Sequence, residues 1–242
     1  MKIKELSIIF PIYNEDNRLQ KNLINVLKMV KSFKSFNIEI IFVNDGSTDN
    51  SHKIINEFIK LVNRKHFSKF IYIYYKNNMG KGFALKKGVQ KAKKKWILTC
   101  DIDFSANPTE IIKWNKFNYI KNEKLCYFGS RELKNSIVKY KNYRKFAGFI
   151  FNLIVYLLFR LEVADTQCGF KLYSRNYAKK IFNQIKEYGY AHDVEIALLL
   201  KKKSIKIQEL PIKWIHRSKG KVNVFYDGLS MLFQLMIIRF RY

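Results

Sequence analysis

The chain has 242 residues, of which 48% are hydrophobic and 16% aromatic, so it can bury a substantial core. This composition excludes an intrinsically disordered chain, and no low-complexity tract divides it, so we expect one domain over residues 1–242. The formal net charge of +27 indicates a polyanionic neighbour: an anionic membrane, a nucleic acid or a phosphorylated substrate. The alternative for part of this excess is a biased codon composition, since Lys, Asn, Ile, Phe and Tyr are abundant together.

Strand and helix patterns alternate along the first half of the chain. Apolar runs rich in β-branched and aromatic residues predict strands at Leu6–Ile12, Ile38–Val43, Phe70–Tyr75 and Trp96–Cys100. The stretches between them predict helices at Asp16–Lys34, Asp49–Asn63 and Gly82–Lys94. In the second half we expect a strand at Cys126–Gly129 and a helix at Asp193–Lys203. Such alternation is typical of an α/β fold with a mostly parallel sheet flanked by helices.

Polar, acid-bearing loops follow three of the predicted strands, at Pro11–Glu15, Asn44–Asp49 and Asp101–Asp103. In open parallel sheets, ligands bind beyond the carboxyl ends of the strands, so we expect these loops to form one site. Asp101 and Asp103 can direct two carboxylates at one hard cation, since Mg²⁺ and Mn²⁺ prefer oxygen ligands. The alternative is a pair of solvated loop acids.

Two loops of the first half suit a nucleotide. Asn44–Asp49 is a turn signal in which Ser47 or Asp49 can cap the next helix, while Asp45 can hydrogen-bond the base of a nucleotide. Asn78–Gly82 is similar to a phosphate-binding loop but lacks the spacing of a P-loop, so alone it is a weak signal.

The ordered set of these motifs resembles the family 2 glycosyltransferases of the GT-A, Rossmann-like fold. The runs that carry this resemblance are Ile8–Glu15, Val43–Asp49, Asn78–Gly82 and Asp101–Asp103. Runs in the second half resemble the dolichyl-phosphate sugar synthase branch, namely Phe128–Arg131, Asp165–Lys171 and Gly189–Glu195. Within that branch, the Asp165–Lys171 run and the tail Ile237–Tyr242 look closest to dolichyl-phosphate beta-glucosyltransferases.

The resemblance implies a nucleotide-sugar and metal half, about 1–130, and an acceptor half, about 131–242. The nucleotide-sugar would be held by Pro11, Tyr13, Glu15, Asp45, Lys81 and Asp101. The metal ion, Mg²⁺ or Mn²⁺, would be bound by Asp101 and Asp103. Catalysis would use Asp103, Arg131, Asp193 and Glu195, and the acceptor side would comprise Arg131, Asp165, Gln167 and Lys171. Ser105 stands where some relatives carry a Gln, which puts a third protein ligand of the metal in doubt.

Structural roles compete with several of these assignments. The planar guanidinium of Arg131 can bind two phosphate oxygens at once, or it is an ordinary surface group. Glu195 either contributes to catalysis or forms a buried ion pair with Arg131 or Lys171. His192 is most simply a surface or packing residue.

No apolar run reaches the roughly 20 residues that span a bilayer. The longest, Phe146–Phe159, is interrupted by Asn152, so we expect amphipathic, membrane-interface helices at 146–160 and 224–242. Candidate contacts to an anionic membrane surface are Arg144, Lys145, Arg160, Arg239 and Arg241, with a solvated rim around core helices as the alternative.

The N-terminus lacks the apolar core and cleavage site of a signal peptide, and Cys100, Cys126 and Cys168 lack the paired spacing of a metal or redox motif. We therefore expect reduced thiols and a peripheral position on the cytoplasmic face of a membrane. That membrane would be the plasma membrane in a prokaryote or the endoplasmic reticulum in a eukaryote. Attachment would rest on the interfacial segments or on a membrane partner, and a homo-oligomer is a further expected partner.

The reaction implied by the resemblance is inverting transfer of a hexose, glucose from UDP-glucose, onto dolichyl or another polyprenyl phosphate. One alternative is a mannose synthase-like enzyme that uses GDP-mannose. Another is a family 2 transferase with a non-lipid acceptor, in which Asp193 or Glu195 would be the catalytic base. Nucleic-acid binding is disfavoured, because the acidic loops would repel a phosphate backbone.

Overall fold

The computed structural model describes residues 1–63, 69–139, 142–217 and 224–242. Its strands are β1 (Glu5–Ile12), β2 (Asn37–Asp45), β3 (Lys69–Tyr75), β4 (Trp96–Thr99), β5 (Cys126–Ser130), β6 (Ile137–Lys139), β7 (Lys171–Ser174), β8 (Ile207–Pro211) and β9 (Lys213–Ile215). Its helices are α1 (Asp16–Ser32), α2 (Ser51–Asn63), α3 (Lys81–Lys91), α4 (Glu110–Lys116), α5 (Asn142–Phe159), α6 (Arg175–Phe182), α7 (His192–Lys202) and α8 (Val224–Arg241).

Within the described residues, seven strands form one sheet in the order β3-β2-β1-β4-β7-β5-β8, and β6 pairs with β9 apart from it. β7 runs antiparallel to β4 and β5, whereas the remaining pairs of the large sheet are parallel. The prediction of a mostly parallel sheet flanked by helices is therefore confirmed. The reversed β7 brings the loop before it to the edge where the parallel strands end, and that edge carries the candidate site.

The sheet packs between two apolar layers, as the alternation of side chains along a strand requires. Ile8 and Phe10 of β1 face one layer, together with Leu19 of α1. Ile9 of the same strand faces the other layer, which includes Val194 of α7 and residues of α3, α5, α6 and α8. Helices on both faces cover the central strands, which explains why β1 and β2 are almost continuously apolar.

The predicted elements of the first half differ from the structure only at their ends. α1 ends two residues before the predicted Lys34, and α2 begins at Ser51 because Asp49 accepts a hydrogen bond from the Ser51 N–H. The sequence patterns did not predict the short α4 of the first half, nor the short elements α6 and β6 to β9 of the second half. These elements are too short to show a clear hydrophobic period.

α5 and α8 pack against each other and both expose large apolar side chains. On α5 these are Phe149, Ile150, Leu153, Tyr156 and Leu157, and on α8 they are Phe233, Met236, Ile237 and Phe240. The opposite faces of the two helices, including Val155 and Leu235, are buried in the core. Across the ranges that the structure describes, no helix combines the length and apolarity needed to cross a bilayer.

Candidate active site

The carboxyl ends of β1, β2, β4 and β5 meet the amino end of β7 at one edge of the sheet. This edge therefore collects the loops that follow β1, β2 and β4, as predicted, and adds the loop that precedes β7. Gly169 of the added loop lies against the metal-binding candidate, since a Cβ on Gly169 would lie 2.6 Å from Oδ2 of Asp101. Only glycine allows that close approach.

Asp45, at the end of β2, organises the glycine-containing loop before α3. Its buried carboxylate accepts hydrogen bonds from the Tyr75 hydroxyl, the Asn78 side chain and the backbone N–H groups of Met79 and Gly80, at 2.7–2.9 Å. Gly80 has a φ of 97°, in the region that favours glycine, so the loop can turn tightly around the carboxylate. The nucleotide-binding role of Asp45 stays a prediction, and its contacts assign it a structural role in this loop.

Asp101 and Asp103 lie beside basic side chains. Nζ of Lys81, the first residue of α3, lies 2.6 Å from Oδ1 of Asp101, and Nη1 of Arg18 lies 4.0 Å from Oδ2 of Asp103. Burial disfavours the charge on Lys81, but the carboxylates of Asp101, Asp193 and Asp103 outweigh this effect and raise its pKa. Burial and the charge of Asp101 raise the pKa of Asp103 above its ordinary value.

The two carboxylates fit a divalent cation that is shared with a diphosphate. Mg²⁺ is commonly bound by one or two carboxylates together with substrate phosphates and water. Asp101 is partly exposed, and repulsion between Asp101 and Asp103 is relieved when a cation binds. Among the described residues, no cluster of three or more His, Cys, Asp or Glu side chains could hold a metal ion alone. Ser105 donates its hydroxyl to Asp103 at 3.0 Å.

Arg131 follows β5 and forms a bidentate ion pair with Asp165. Its Nε and Nη2 atoms donate to the two carboxylate oxygens at 2.7 Å, and its backbone N–H donates to Oδ2 at 2.9 Å. The guanidinium also lies over the Trp214 ring. Burial opposes the charge on Asp165, yet Arg131 holds the pKa of that carboxyl below its usual range. Two predicted acceptor-side residues therefore meet each other.

Lys171 and Asp193 form a buried ion pair at 2.6 Å behind the edge of the site. Lys171 also donates to the backbone carbonyl of Cys168 at 2.7 Å, and its ammonium lies over the Phe128 ring. His192 is buried beside Asp193, so the packing alternative predicted for it matches its position. Burial opposes the charge of Asp193, but His192, Lys171 and Lys81 hold its pKa below the ordinary value.

Glu195 contacts neither Arg131 nor Lys171, the partners that the ion-pair alternative gave it. Its carboxylate accepts hydrogen bonds from the Lys186 and Glu187 backbone and from Arg241 and Tyr242 of the tail. Arg131 and Lys171 pair with Asp165 and Asp193 instead. Glu195 therefore lies in the packing of α8 against α7.

The other predicted residues line the same edge or lie close to it. Glu15 pairs with Arg18, the residue three positions later on α1. Pro11 belongs to β1, and Tyr13 follows that strand with a partly exposed ring. Gln167 lies in the loop held by Asp165, which accepts a hydrogen bond from its backbone N–H.

Sequence patterns missed Arg18, although a Glu and an Arg three positions apart at a helix start are a recognisable pairing signal. They also missed Gly169 and Trp214, whose proximity to Asp101 and Arg131 depends on the course of the chain in space.

The sequence profile of "Glycosyl transferase family 2" matches residues 7–182. This range runs from within β1 to the end of α6 and includes the edge where Asp101, Lys81 and Arg131 lie. The chain therefore belongs to glycosyltransferase family 2, and it is a glycosyltransferase.

Within that family, the chain is similar to proteins named dolichyl-phosphate beta-glucosyltransferase. The one from Dictyostelium discoideum is 33% identical over 249 aligned positions, which cover 98% of this chain and 74% of the relative. The one from Homo sapiens is 30% identical and covers 99% of this chain and 76% of the relative. The one from Saccharomyces cerevisiae is 29% identical, and the alignment covers 98% of this chain and 75% of the relative.

Solved structures of glycosyltransferases share the fold. One is a mannosyltransferase from Pyrobaculum calidifontis in complex with GDP-Man and Mn²⁺, with a TM-score of 0.64 at 14% identity, covering 100% of this chain and 65% of that one. Another is glucosyl-3-phosphoglycerate synthase from Mycobacterium tuberculosis with Mn²⁺, UDP-Glc and glycerol 3-phosphate, with a TM-score of 0.63 at 16% identity, covering 98% and 80%. At these identities the likeness shows the GT-A fold alone.

Proposed function

We propose that the protein transfers glucose from UDP-glucose to dolichyl phosphate or another polyprenyl phosphate, with inversion at the anomeric carbon. The observation that carries the proposal is the meeting of Asp101 and Asp103 with Lys81, Arg18 and Arg131 at one edge of the sheet. Carboxylates for a cation and basic groups for phosphates are what transfer from a sugar diphosphate to a phosphate requires. The names of the relatives support glucose and dolichyl phosphate as the two substrates.

The donor site lies between β1, β4 and the start of α3. Asp101 and Asp103 would hold Mg²⁺ or Mn²⁺, which when bound stabilises negative charge on the leaving diphosphate. Lys81 can move its ammonium from Asp101 to a diphosphate oxygen. Nη1 of Arg18 is buried without a hydrogen-bond partner among the residues that the structure describes, so it can donate to the same group. Pro11, Tyr13, Glu15 and Asp45 would surround the nucleoside.

The acceptor side needs little base catalysis. A phosphate monoester is already an anion near neutral pH, so its oxygen can attack C1 of glucose directly. The bond between C1 and the diphosphate oxygen then breaks, and UDP leaves with the electron pair. Asp165 keeps Arg131 in a fixed orientation beside Trp214 through Nε and Nη2, so that Nη1 of the guanidinium can donate to the acceptor phosphate while the ion pair stays intact. Lys171 and Asp193 support this edge from within the core.

The acceptor lipid brings the protein to a membrane surface. α5 and α8 pack against each other and both expose apolar rings, since Phe149 is 65% exposed, Phe233 69% and Phe240 83%. Arg160 and Arg239 lie at the ends of these helices, where they can contact anionic headgroups. We therefore infer a peripheral protein on the cytoplasmic face of a membrane.

The test is a transfer assay with radiolabelled UDP-glucose and GDP-mannose against dolichyl phosphate, undecaprenyl phosphate and 3-phosphoglycerate. Organic extraction separates lipid-linked products from soluble ones. We expect a lipid product from UDP-glucose, with a rate more than about tenfold above that from GDP-mannose, or about 1.4 kcal/mol of discrimination. Preference for GDP-mannose would overturn the donor assignment. A water-soluble product would overturn the lipid acceptor.

A further inference from the structure

The end of α8 is fixed to α7 by a fully buried carboxylate. Oε1 of Glu195, in the first turn of α7, accepts hydrogen bonds from Nη1 of Arg241 at 3.1 Å and from the Tyr242 hydroxyl at 3.0 Å. Burial and the charge of Glu195 raise the pKa of Tyr242 to about 12, so its hydroxyl stays a donor at neutral pH. Glu195 therefore anchors the C-terminal end of α8, the helix that carries exposed apolar side chains.

The same carboxylate holds one end of the loop before α7, which comprises residues 186–191. Its Oε2 accepts hydrogen bonds from the backbone N–H groups of Lys186 at 2.9 Å and Glu187 at 2.7 Å. At the other end, Gln234 of α8 accepts a hydrogen bond from the Ala191 N–H at 3.4 Å. The 186–191 loop thus depends on α8 and Glu195 for its position.

The 186–191 loop is in direct backbone contact with the start of α3. The Gly82 N–H donates to the Tyr188 carbonyl at 2.8 Å, and a Cβ on Gly80 would lie 2.3 Å from that oxygen. Lys81, which pairs with Asp101, lies between these two glycines. Because such contacts leave no free space, a shift of the loop must move Lys81 as well.

We propose that Glu195 is a positioning residue that couples the end of α8 to Lys81 through the 186–191 loop. This replaces the catalytic role that its sequence motif implied. Docking of α8 on a lipid surface would then hold Lys81 in place for the sugar diphosphate. The inference rests on the proposed function for the assignment of Lys81 and Asp101 to the donor.

The coupling can be tested in the full chain with the Arg241→Ala/Tyr242→Phe variant, which leaves Glu195 and the 186–191 loop in the sequence. Hydrogen exchange followed by mass spectrometry compares the peptides around 80–82 and 186–191. We expect several-fold faster exchange in both peptides, together with a several-fold higher KM for UDP-glucose and an unchanged KM for the lipid acceptor. Arg241→Lys should restore the wild-type values, since an ammonium can also donate to Glu195.

Two further variants make the comparison specific. Glu195→Gln should give the same pattern as the tail variant, because the amide keeps one acceptor but loses the charge that binds Arg241. Glu123→Gln is the matched control, since Glu123 pairs with Lys95 at the opposite edge of the sheet and should leave exchange and KM unchanged.

The outcomes separate this inference from the proposed function. Unchanged exchange at 80–82 and unchanged donor KM in a folded tail variant would overturn the coupling. Equal rises in the KM values for both substrates would also overturn it, because a general loss of structure does not select the donor. If the wild type forms no glucolipid, the proposed function fails, while the exchange comparison still decides the coupling.

Discussion

Asp101 and Asp103 are two acids that repel each other at the end of β4. Because the pKa of Asp103 is raised by burial and by Asp101, its charge works against folding near neutral pH. The charge of Asp103 therefore lowers the free energy of unfolding, as expected at a site where the carboxylates serve to bind a cation.

We expect Asp101→Asn and Asp103→Asn to lower the rate of transfer by about a hundredfold or more, since the amide keeps the size but loses the charge. The variants should stay folded, and Asp103→Asn should unfold at an equal or higher temperature than wild type. Initial rates across a Mn²⁺ titration and thermal unfolding measure the two effects. A wild-type rate at saturating Mn²⁺ would contradict the site assignment.

His192 gives the protein a specific pH dependence of stability. Burial lowers the pKa of His192 even though Asp193 opposes that shift, so the folded state holds a neutral imidazole near pH 7. The unfolded chain takes up a proton near pH 6.5. The stability that depends on neutral His192 is therefore fully present above about pH 6.5, and it is lost as the pH falls towards the pKa of His192 in the folded state.

Urea unfolding from pH 7.5 to 5.5 should show wild-type stability falling by at most about 1.4 kcal/mol per pH unit from this group. His192→Asn should show a flatter profile over the same range, because it has no group to protonate. The remaining histidines are common to both proteins and cancel in the comparison. Parallel profiles would show that His192 is not held neutral by the fold.

At the scale of elements, α5 and α8 show that a helix can belong both to the core and to a surface. Val155 and Leu235 are buried, whereas Phe149 and Phe240 on the same helices are exposed. The predicted headgroup contacts divide in a similar way, since Arg241 pairs with Glu195. Arg239 stays exposed, and the side chains of Arg144 and Lys145 lie outside the described part of the structure.

Liposome flotation should recover wild-type protein with anionic vesicles at low salt and less of it at high salt, because screening weakens the basic contacts. Phe233→Asp/Phe240→Asp should abolish flotation without unfolding the protein, since both rings are exposed. Leu61→Asp on α2 is the matched control, an exposed apolar residue distant in sequence from these helices. Equal flotation of the two variants would refute the docking face.

At the scale of the whole molecule, strands from both halves of the chain share one sheet. β4 of the first half pairs with β7 of the second half, and the site takes residues from both. The nucleotide half and the acceptor half therefore differ in the substrate that each would bind, but they are parts of one sheet. We expect the two halves to unfold together.

Urea unfolding monitored by tryptophan fluorescence and by far-ultraviolet circular dichroism should give one coincident transition. Trp96 lies in β4 and Trp214 in β9, so the fluorescence signal covers both halves. A Trp214→Phe variant reports on the first half through Trp96 and Trp114, and a Trp96→Phe/Trp114→Phe variant reports on the second half through Trp214. If the urea midpoints of the two variants differ by more than the substitutions themselves change stability, the two halves unfold as independent domains.

The sequence by itself determined the alternation of strands and helices, the predicted parallel sheet and the acid-bearing loops beside Asp45 and Asp101. These features follow from local periodicity and turn chemistry, which neighbouring residues in the chain define. Tertiary structure alone decided the side-chain partners. Arg131 and Asp165 are 34 positions apart, and Glu195 and Arg241 are 46 apart. A motif fixes which charges are present, but only the folded chain selects their partners, because desolvation makes each buried charge depend on whichever opposite charge packing brings near.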